Sequence, residues 1–127
     1  GGMMISFHSM ELHKKEPVYI QICRYMKQRI LMNEIKDHEE LPSRRELATQ
    51  LSINPNTVQK AYKMLEEEGI IRTISNVKSV IVVNDEIINQ IRNEFVESDI
   101  KEFIQNCKNS GMNFQQVIAL LTKYWED

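Results

Sequence analysis

The chain has 127 residues, of which 42% are apolar and 27% charged, and its formal net charge is −2. This length fits one domain, or one small domain with an appendage, and no stretch approaches the ~18 consecutive apolar residues that a membrane span requires. The charge is uneven, because residues 14–83 carry 12 Lys or Arg against 9 Asp or Glu (+3), whereas residues 84–127 carry 4 against 8 (−4). A basic N-terminal part and an acidic C-terminal part indicate that the two parts have different roles.

The apolar residues at the N-terminus of the chain show no clear helical or strand periodicity. Residues 1–13 therefore form a predicted disordered arm, and residues 1–2 (Gly-Gly) look like the remnant of an expression tag. Apolar residues at helical spacing predict a first helix over 16–32. Pro17 suits its first position, where a missing N–H has no cost, and Asn33 can end it in a left-handed conformation.

Two short helices follow in close succession. Ser43 and Glu46 form a capping box, which predicts a second helix of about eight residues. Asn54 is a good N-cap and Pro55 a good first residue, so a third helix begins there after a tight turn. Gly69 is expected to end it as a C′ glycine.

The rest of the chain reads as a hairpin and two helices. Residues 70–74 and 79–83 are the predicted strands of a short hairpin, residues 84–109 form a long amphipathic helix, and a last helix begins near Asn113. The predicted fold is mainly α (α+β), with a winged helix-turn-helix over 14–83 and a two-helix C-terminal dimerisation tail over 84–127.

No enzyme signature is present in the sequence. Cys23 and Cys107 lie far apart without metal-ligand spacing, which argues against zinc or a disulfide and favours buried thiols in a reducing cytoplasm. The chain has no glycine-rich phosphate loop and no supported nucleophile–base pair. We therefore predict no enzyme activity, no cofactor and no metal.

Three runs of sequence lie on the predicted helix-turn-helix: LPSRRELA at 41–48, NPNTVQKAY at 54–62 and LEEEGII at 65–71. Together with EPVYIQI at 16–22, they closely resemble the DNA-binding domain of the GntR family of bacterial transcription regulators. The NPNTV stretch and the short acidic tail look like the YtrA subfamily. This resemblance implies a dimeric regulator, and such proteins commonly repress ABC-transporter operons.

The expected DNA contacts lie on the second and third helices. The third helix presents a partially positive N-terminus, and its outward Asn56, Gln59 and Lys60 can reach base edges or phosphates. Asn or Gln can pair bidentately with adenine. Arg44 and Arg45 occupy a first turn where cations are unfavourable, which suggests an outside anion; the family resemblance makes Arg45 the usual contact. The predicted DNA-binding residues are Ser43, Arg44, Arg45, Asn54, Asn56, Thr57, Gln59, Lys60, Lys63 and Lys78.

Structural roles compete with some of these assignments. Asn54 is as well explained by capping alone, Thr57 can simply assist the cap, and Lys63 can be a solvated lysine. The wing also departs from the family pattern of Gly-basic-Gly, since Asn76, Val77 and Lys78 stand there. This wing predicts lower affinity or a greater dependence on dimerisation, with Lys78 left as a phosphate contact.

The apolar faces of the two tail helices exceed what one small winged helix can cover. A symmetric homodimer is the economical solution, and it places two third helices about 34 Å apart on an inverted-repeat operator. The sequence thus predicts a homodimeric, sequence-specific repressor of double-stranded DNA, without defining an effector site. The alternatives are a monomer with a self-covered tail and a winged-helix protein-interaction module with weak DNA binding. The predicted dimer contacts are Ile91, Phe95, Phe103, Phe114, Leu121, Tyr124 and Trp125.

Overall fold

A computed structural model describes residues 4–75 and 78–127, and within them it contains five helices and one two-stranded sheet. The elements, in chain order, are α1 (Val18–Leu31), α2 (Arg44–Leu51), α3 (Pro55–Glu67), β1 (Ile71–Ser75), β2 (Lys78–Ile81), α4 (Asp85–Asn109) and α5 (Phe114–Tyr124). The chain divides into two compact units, Gly1–Ile91 and Arg92–Asp127. The predicted order of elements and the mainly α fold are confirmed.

The helix ends follow from local chemistry. The Ser43 hydroxyl accepts the Glu46 N–H at 3.0 Å, and the Glu46 carboxylate accepts the Ser43 N–H at 3.2 Å, which completes the capping box. The Asn54 side chain accepts the Asn56 N–H at 2.8 Å. Gly69 follows α3 with φ +80°, a left-handed conformation that strains other side chains.

The first helix differs from prediction at its start. Pro17 is its N-cap, with ψ 142°, rather than its first helical residue. Asn33 has φ 61°, so its predicted left-handed conformation is confirmed. Both results leave the apolar face of α1 as predicted, because the shift at the start is one turn or less.

The core of the first unit lies where α1, α2 and α3 meet the strands. Cys23 of α1 approaches α3 closely enough for its Sγ to lie 3.5 Å from the Ala61 carbonyl oxygen. Such contact requires a small residue on α3, and alanine supplies it. The fully buried side chains here include Ile22, Met26, Leu47, Val58, Tyr62, Leu65, Ile70 and Ile81.

The N-terminal segment is not a disordered arm over residues 4–13. The Ile5 N–H donates to the Glu40 carbonyl at 3.0 Å, and the side chains of Ile5 and Phe7 are only 5% and 1% exposed. The Phe7 and Tyr25 rings lie 5.3 Å apart. The prediction was wrong because the apolar residues alternate over too few positions to register as a strand. The suspected tag remnant, residues 1–2, lies outside the described residues.

The first unit also extends further than residue 83. Ile87 and Ile91 of α4 are buried, and Gln90 Nε2 donates to the Glu68 carbonyl at 3.4 Å. Ile91 is 0% exposed, so its assignment to the dimer surface is wrong: it already completes the core of its own protomer.

The second unit comprises the remainder of α4 together with α5. The Asn113 side chain accepts the Gln116 N–H at 2.9 Å, and a reciprocal bond from the Asn113 N–H completes a second capping box. Cys107 is buried within the structure, as predicted. None of the helices in the described ranges has the length and apolar character to cross a bilayer.

Candidate nucleic-acid interface

Helix α3 has a buried face and an exposed face. Val58, Ala61, Tyr62 and Leu65 are buried, whereas Asn56, Gln59, Lys60 and Lys63 are exposed. Over residues 56–63 the exposed side chains are two amides and two cations, whereas the exposed carboxylates of α3, Glu66 and Glu67, lie at its C-terminal end. Because this surface begins at the positive end of the helix dipole, it suits an anion or a base edge.

Arg45 extends the same chemistry to α2. Its side chain is exposed, and within residues 4–75 and 78–127 it makes no ion pair or hydrogen bond. Only its carbonyl is engaged, by the Thr49 hydroxyl at 3.0 Å. A guanidinium in the first turn opposes the helix dipole, so its presence there is unexplained by the stability of α2.

Arg44 makes contacts that Arg45 lacks. Its Nε donates to Oε1 of Gln59, and its guanidinium carbon lies 5.1 Å from the centre of the Tyr62 ring. The hydrogen bond joins the first turn of α2 to the exposed face of α3. Spacing along the sequence gave no indication of this pair, since its members are 15 residues apart.

Tyr62 anchors the turn that precedes α2. Its hydroxyl donates to the Pro42 carbonyl at 2.7 Å, next to the Ser43 cap. Burial raises the pKa of the Tyr62 phenol well above its ordinary value, because the phenolate would lose its hydration. The positively charged Arg44 opposes this shift, but desolvation is the larger effect.

Replacing Tyr62 by phenylalanine is expected to lower the free energy of unfolding by about 1–2 kcal/mol, because the Pro42 carbonyl loses its buried donor. Stability of the parent protein should also fall as the pH rises above about 10, where the unfolded chain releases the phenol proton and the folded chain retains it. This component should be absent from the variant. Urea unfolding at about pH 8 and about pH 10.5 measures both effects; an unchanged free energy would contradict the role of this hydrogen bond.

Three predicted contact residues have structural duties. The side-chain oxygens of Ser43 and Asn54 cap α2 and α3 as described above, and half-buried Thr57 donates its N–H to the Asn54 carbonyl at 3.0 Å. Lys60 is exposed, but its Nζ lies 4.1 Å from the centre of the Tyr19 ring of α1. Tyr19 was missed by sequence reasoning, because nothing in the periodicity of α1 pairs it with Lys60.

The wing is a two-stranded antiparallel hairpin. Ile71 pairs with Ile81 and Thr73 with Ser79, with an irregularity before Ser75 pairs with Lys78. Lys78 is exposed, as a phosphate contact must be. Asn76 and Val77, on which the wing-tip prediction rests, lie outside the described residues. Exposed Arg72 of β1 is a further wing cation that the prediction did not include.

The acidic end of α3 is occupied by internal contacts. Glu68 Oε1 lies 3.0 Å from Nζ of buried Lys27, and Glu66 accepts a hydrogen bond from Thr73 at 3.3 Å. These contacts fasten the acidic end of α3 to α1 and to the wing. The cations and amides that can bind an anion therefore precede this acidic end, over residues 56–63.

Comparison with known proteins supplies the family. The model of the bacterial regulatory proteins of the gntR family matches residues 18–81, which run from α1 through β2 and make up half of the chain. The chain belongs to the gntR family. It is therefore a DNA-binding transcriptional regulator, and this family, like the relatives below, consists of regulators rather than enzymes.

Individual gntR-family relatives match beyond the DNA-binding part. The transcriptional repressor YtrA of Bacillus subtilis (strain 168) is 36% identical over 80% of this chain and 78% of its own length. A GntR family regulator from Listeria monocytogenes is 32% identical, with a TM-score of 0.72 over 88% of this chain and 98% of that one. YtrA from Sulfolobus acidocaldarius is 28% identical, with a TM-score of 0.53 over 93% and 96%. These matches confirm the resemblance to the YtrA subfamily.

Proposed function

We propose that this gntR-family regulator is a homodimeric repressor that binds an inverted-repeat operator in the bacterial cytoplasm. The observation that carries the proposal is the exposed surface formed by Arg45, Asn56, Gln59, Lys60 and Lys63 on α2 and α3. It contains cations and amides but no carboxylate. This combination provides charge for phosphates and hydrogen-bonding groups for base edges.

The residues of this surface have different roles in the proposal. Arg45 contacts a guanine or a phosphate, since its fork has no other partner in the described part of the chain. Asn56 and Gln59 read bases in the major groove, where α3 fits. Lys60, Lys63 and Lys78 bind phosphates, while Ser43, Asn54 and Thr57 place the N-termini of α2 and α3 against the DNA backbone.

The homodimer is inferred from the second unit. Phe114 is 72% and Trp125 80% exposed, values that a large aromatic side chain seldom reaches without a partner. More apolar side chains of the same unit are exposed as well: Val96, Ile100, Phe103, Ile104, Ile118, Leu120, Leu121 and Tyr124. A second copy offers the same apolar surface, so a twofold axis buries both at once. Of the predicted dimer contacts, only half-buried Phe95 and the excluded Ile91 fall outside this exposed set.

We also propose that the protein represses transcription rather than activating it. The Bacillus subtilis YtrA relative is described as a repressor, and a dimer seated on two half-sites about 34 Å apart would block a promoter. The resemblance to the YtrA subfamily extends the proposal to an ABC-transporter operon. An effector would act by changing the spacing between the two DNA-binding units.

Replacing Leu121 by aspartate is expected to convert the dimer into a monomer, because two carboxylates would be buried in the proposed interface. Operator affinity should fall by about 100-fold, since one protomer then binds one half-site without the other. Sedimentation equilibrium and anisotropy measure these effects. Ala119→Asp, which adds the same charge to an exposed position off the apolar stripe of α5, is the matched control. A monomeric parent protein, or a variant that stays dimeric, would contradict the proposed interface.

Selection from a pool of random duplex DNA tests the proposed specificity. The full-length protein should enrich an inverted repeat whose half-sites lie about one helical turn apart. A single unrepeated site would contradict the dimeric arrangement. No enrichment would contradict sequence-specific binding and would favour the alternative of a protein-interaction module.

A further inference from the structure

The contact between Arg44 and Gln59 restricts what Gln59 can offer to DNA. The Nε–H of an arginine can only donate a hydrogen bond, so the amide atom facing Arg44 has to be the oxygen, as the structure has it. The amide nitrogen of Gln59, which carries two hydrogens, then points away from Arg44. Within the described residues, that nitrogen has no hydrogen-bond partner.

Arg44 is itself held in place by the ring of Tyr62. Its guanidinium lies over the ring of Tyr62, a residue that is 1% exposed and tied to the Pro42 carbonyl. A buried, hydrogen-bonded ring is a rigid support, and a cation over its face is attracted to it. The chain of contacts from Tyr62 through Arg44 therefore sets the orientation of the Gln59 amide before any DNA is bound.

This orientation changes the chemistry of the surface. A glutamine that reads adenine needs both its groups, because N7 of adenine accepts a hydrogen bond and its N6 amino group donates one. In this protein one lone pair of that oxygen already accepts from Arg44, so the oxygen faces Arg44 and only its second lone pair is left for an adenine N6. The Gln59 amino group and the terminal nitrogens of Arg44 only donate, so the pair offers mainly donors to a base.

We propose that Arg44 is a specificity-determining residue, which orients Gln59 so that the pair selects guanine rather than adenine. Guanine presents two acceptors, N7 and O6, in the major groove and is the only base that does so. Arg44 thus acts on base choice through Gln59 as a positioning residue. The inference rests on the proposed sequence-specific DNA binding and deepens it.

Selection from random DNA by variants of the full-length protein tests this inference. The base pair under Gln59 is identified as the position whose preference weakens in Gln59→Ala. The parent protein should prefer guanine there, and Arg44→Ala should shift the preference to adenine by about tenfold or more, because the freed amide oxygen can then accept from N6. Lys63→Ala removes an equal charge from the exposed face of α3 and should weaken binding without changing the preferred base.

The outcomes separate this inference from the proposed function. If the parent protein enriches an inverted repeat but Arg44→Ala keeps guanine at the identified position, the inference fails and the proposed function stands. If the parent protein prefers adenine at that position, the inference also fails and the proposed function stands. If the parent protein enriches no sequence at all, the proposed function fails, and the inference fails with it.

A measurement without DNA keeps the test independent of binding strength. In ¹⁵N-labelled full-length protein, the Nε–H resonance of Arg44 should be shifted and protected from exchange, and Gln59→Ala should abolish both effects. An Arg44 resonance that does not respond to Gln59→Ala would overturn the inference, even where Arg44→Ala binds DNA too weakly for selection.

Discussion

Replacing Arg45 by alanine is expected to lower operator affinity by about 100-fold or more, because one charge-assisted contact is lost in each half-site. The side chain of Arg45 is exposed and makes no hydrogen bond or ion pair within the described residues, so its removal should leave the fold intact. Fluorescence anisotropy with operator DNA measures the loss. Circular dichroism and sedimentation should report an unchanged fold and oligomeric state.

Arg24→Ala is the matched control for this variant. It removes the same charge from an exposed position on α1, where Arg24 is paired with Glu16. Its effect on affinity should be less than about threefold, as expected of a distant charge at moderate salt. Unchanged operator binding by Arg45→Ala would contradict the assignment of Arg45 to the DNA interface.

Replacing Phe7 by alanine is expected to lower the free energy of unfolding by about 3–5 kcal/mol, the range for a fully buried aromatic side chain. Phe7 packs its ring against Tyr25 of α1, so its loss leaves a cavity between the N-terminal segment and the helix. Urea unfolding of the full-length protein measures the change. For a domain of this size, such a loss removes a large part of the total stability.

Leu12→Ala provides the control within the same segment. The side chain of Leu12 is 36% exposed, so its truncation should cost less than Phe7→Ala by at least about 2 kcal/mol. A loss below about 1 kcal/mol for Phe7→Ala would mean that residues 4–13 contribute little to stability in solution.

The sequence predicted those features that depend on neighbouring residues. Each of these features depends only on residues within four positions along the chain. They are the capping box of Ser43 and Glu46, the Asn54-Pro55 start of α3 and the left-handed Gly69. The buried face of α3 could also be predicted, because helical periodicity fixes which side chains share a face.

Features that depend on distant side chains could not be predicted. The Arg44–Gln59 hydrogen bond and the Lys60–Tyr19 contact join separate elements, and only the packing of those elements brings the atoms together. Ile91 was misassigned for a related reason. Its apolar character fits both a dimer surface and a protomer core, and only the tertiary structure distinguishes the two.

The N-terminal segment illustrates a different limit. Ile5 and Phe7 alternate with Ser6 over only three positions, which is too short a pattern to distinguish a strand from a loop. The partner backbone at Glu40 comes 35 positions later in the chain and is itself outside any regular element. Pairing of this kind is decided by the assembled fold.

We infer that α2 and α3 carry a specific, phosphate-dependent DNA interface in a dimer. Fluorescence anisotropy of the full-length protein with the DNA upstream of its own gene, compared with a scrambled duplex, is the decisive test. We expect two protomers per site, preference for the upstream DNA, and an affinity that falls by about 100-fold or more between ~50 and ~200 mM salt. Equal binding to both duplexes, or no binding to either, would contradict it.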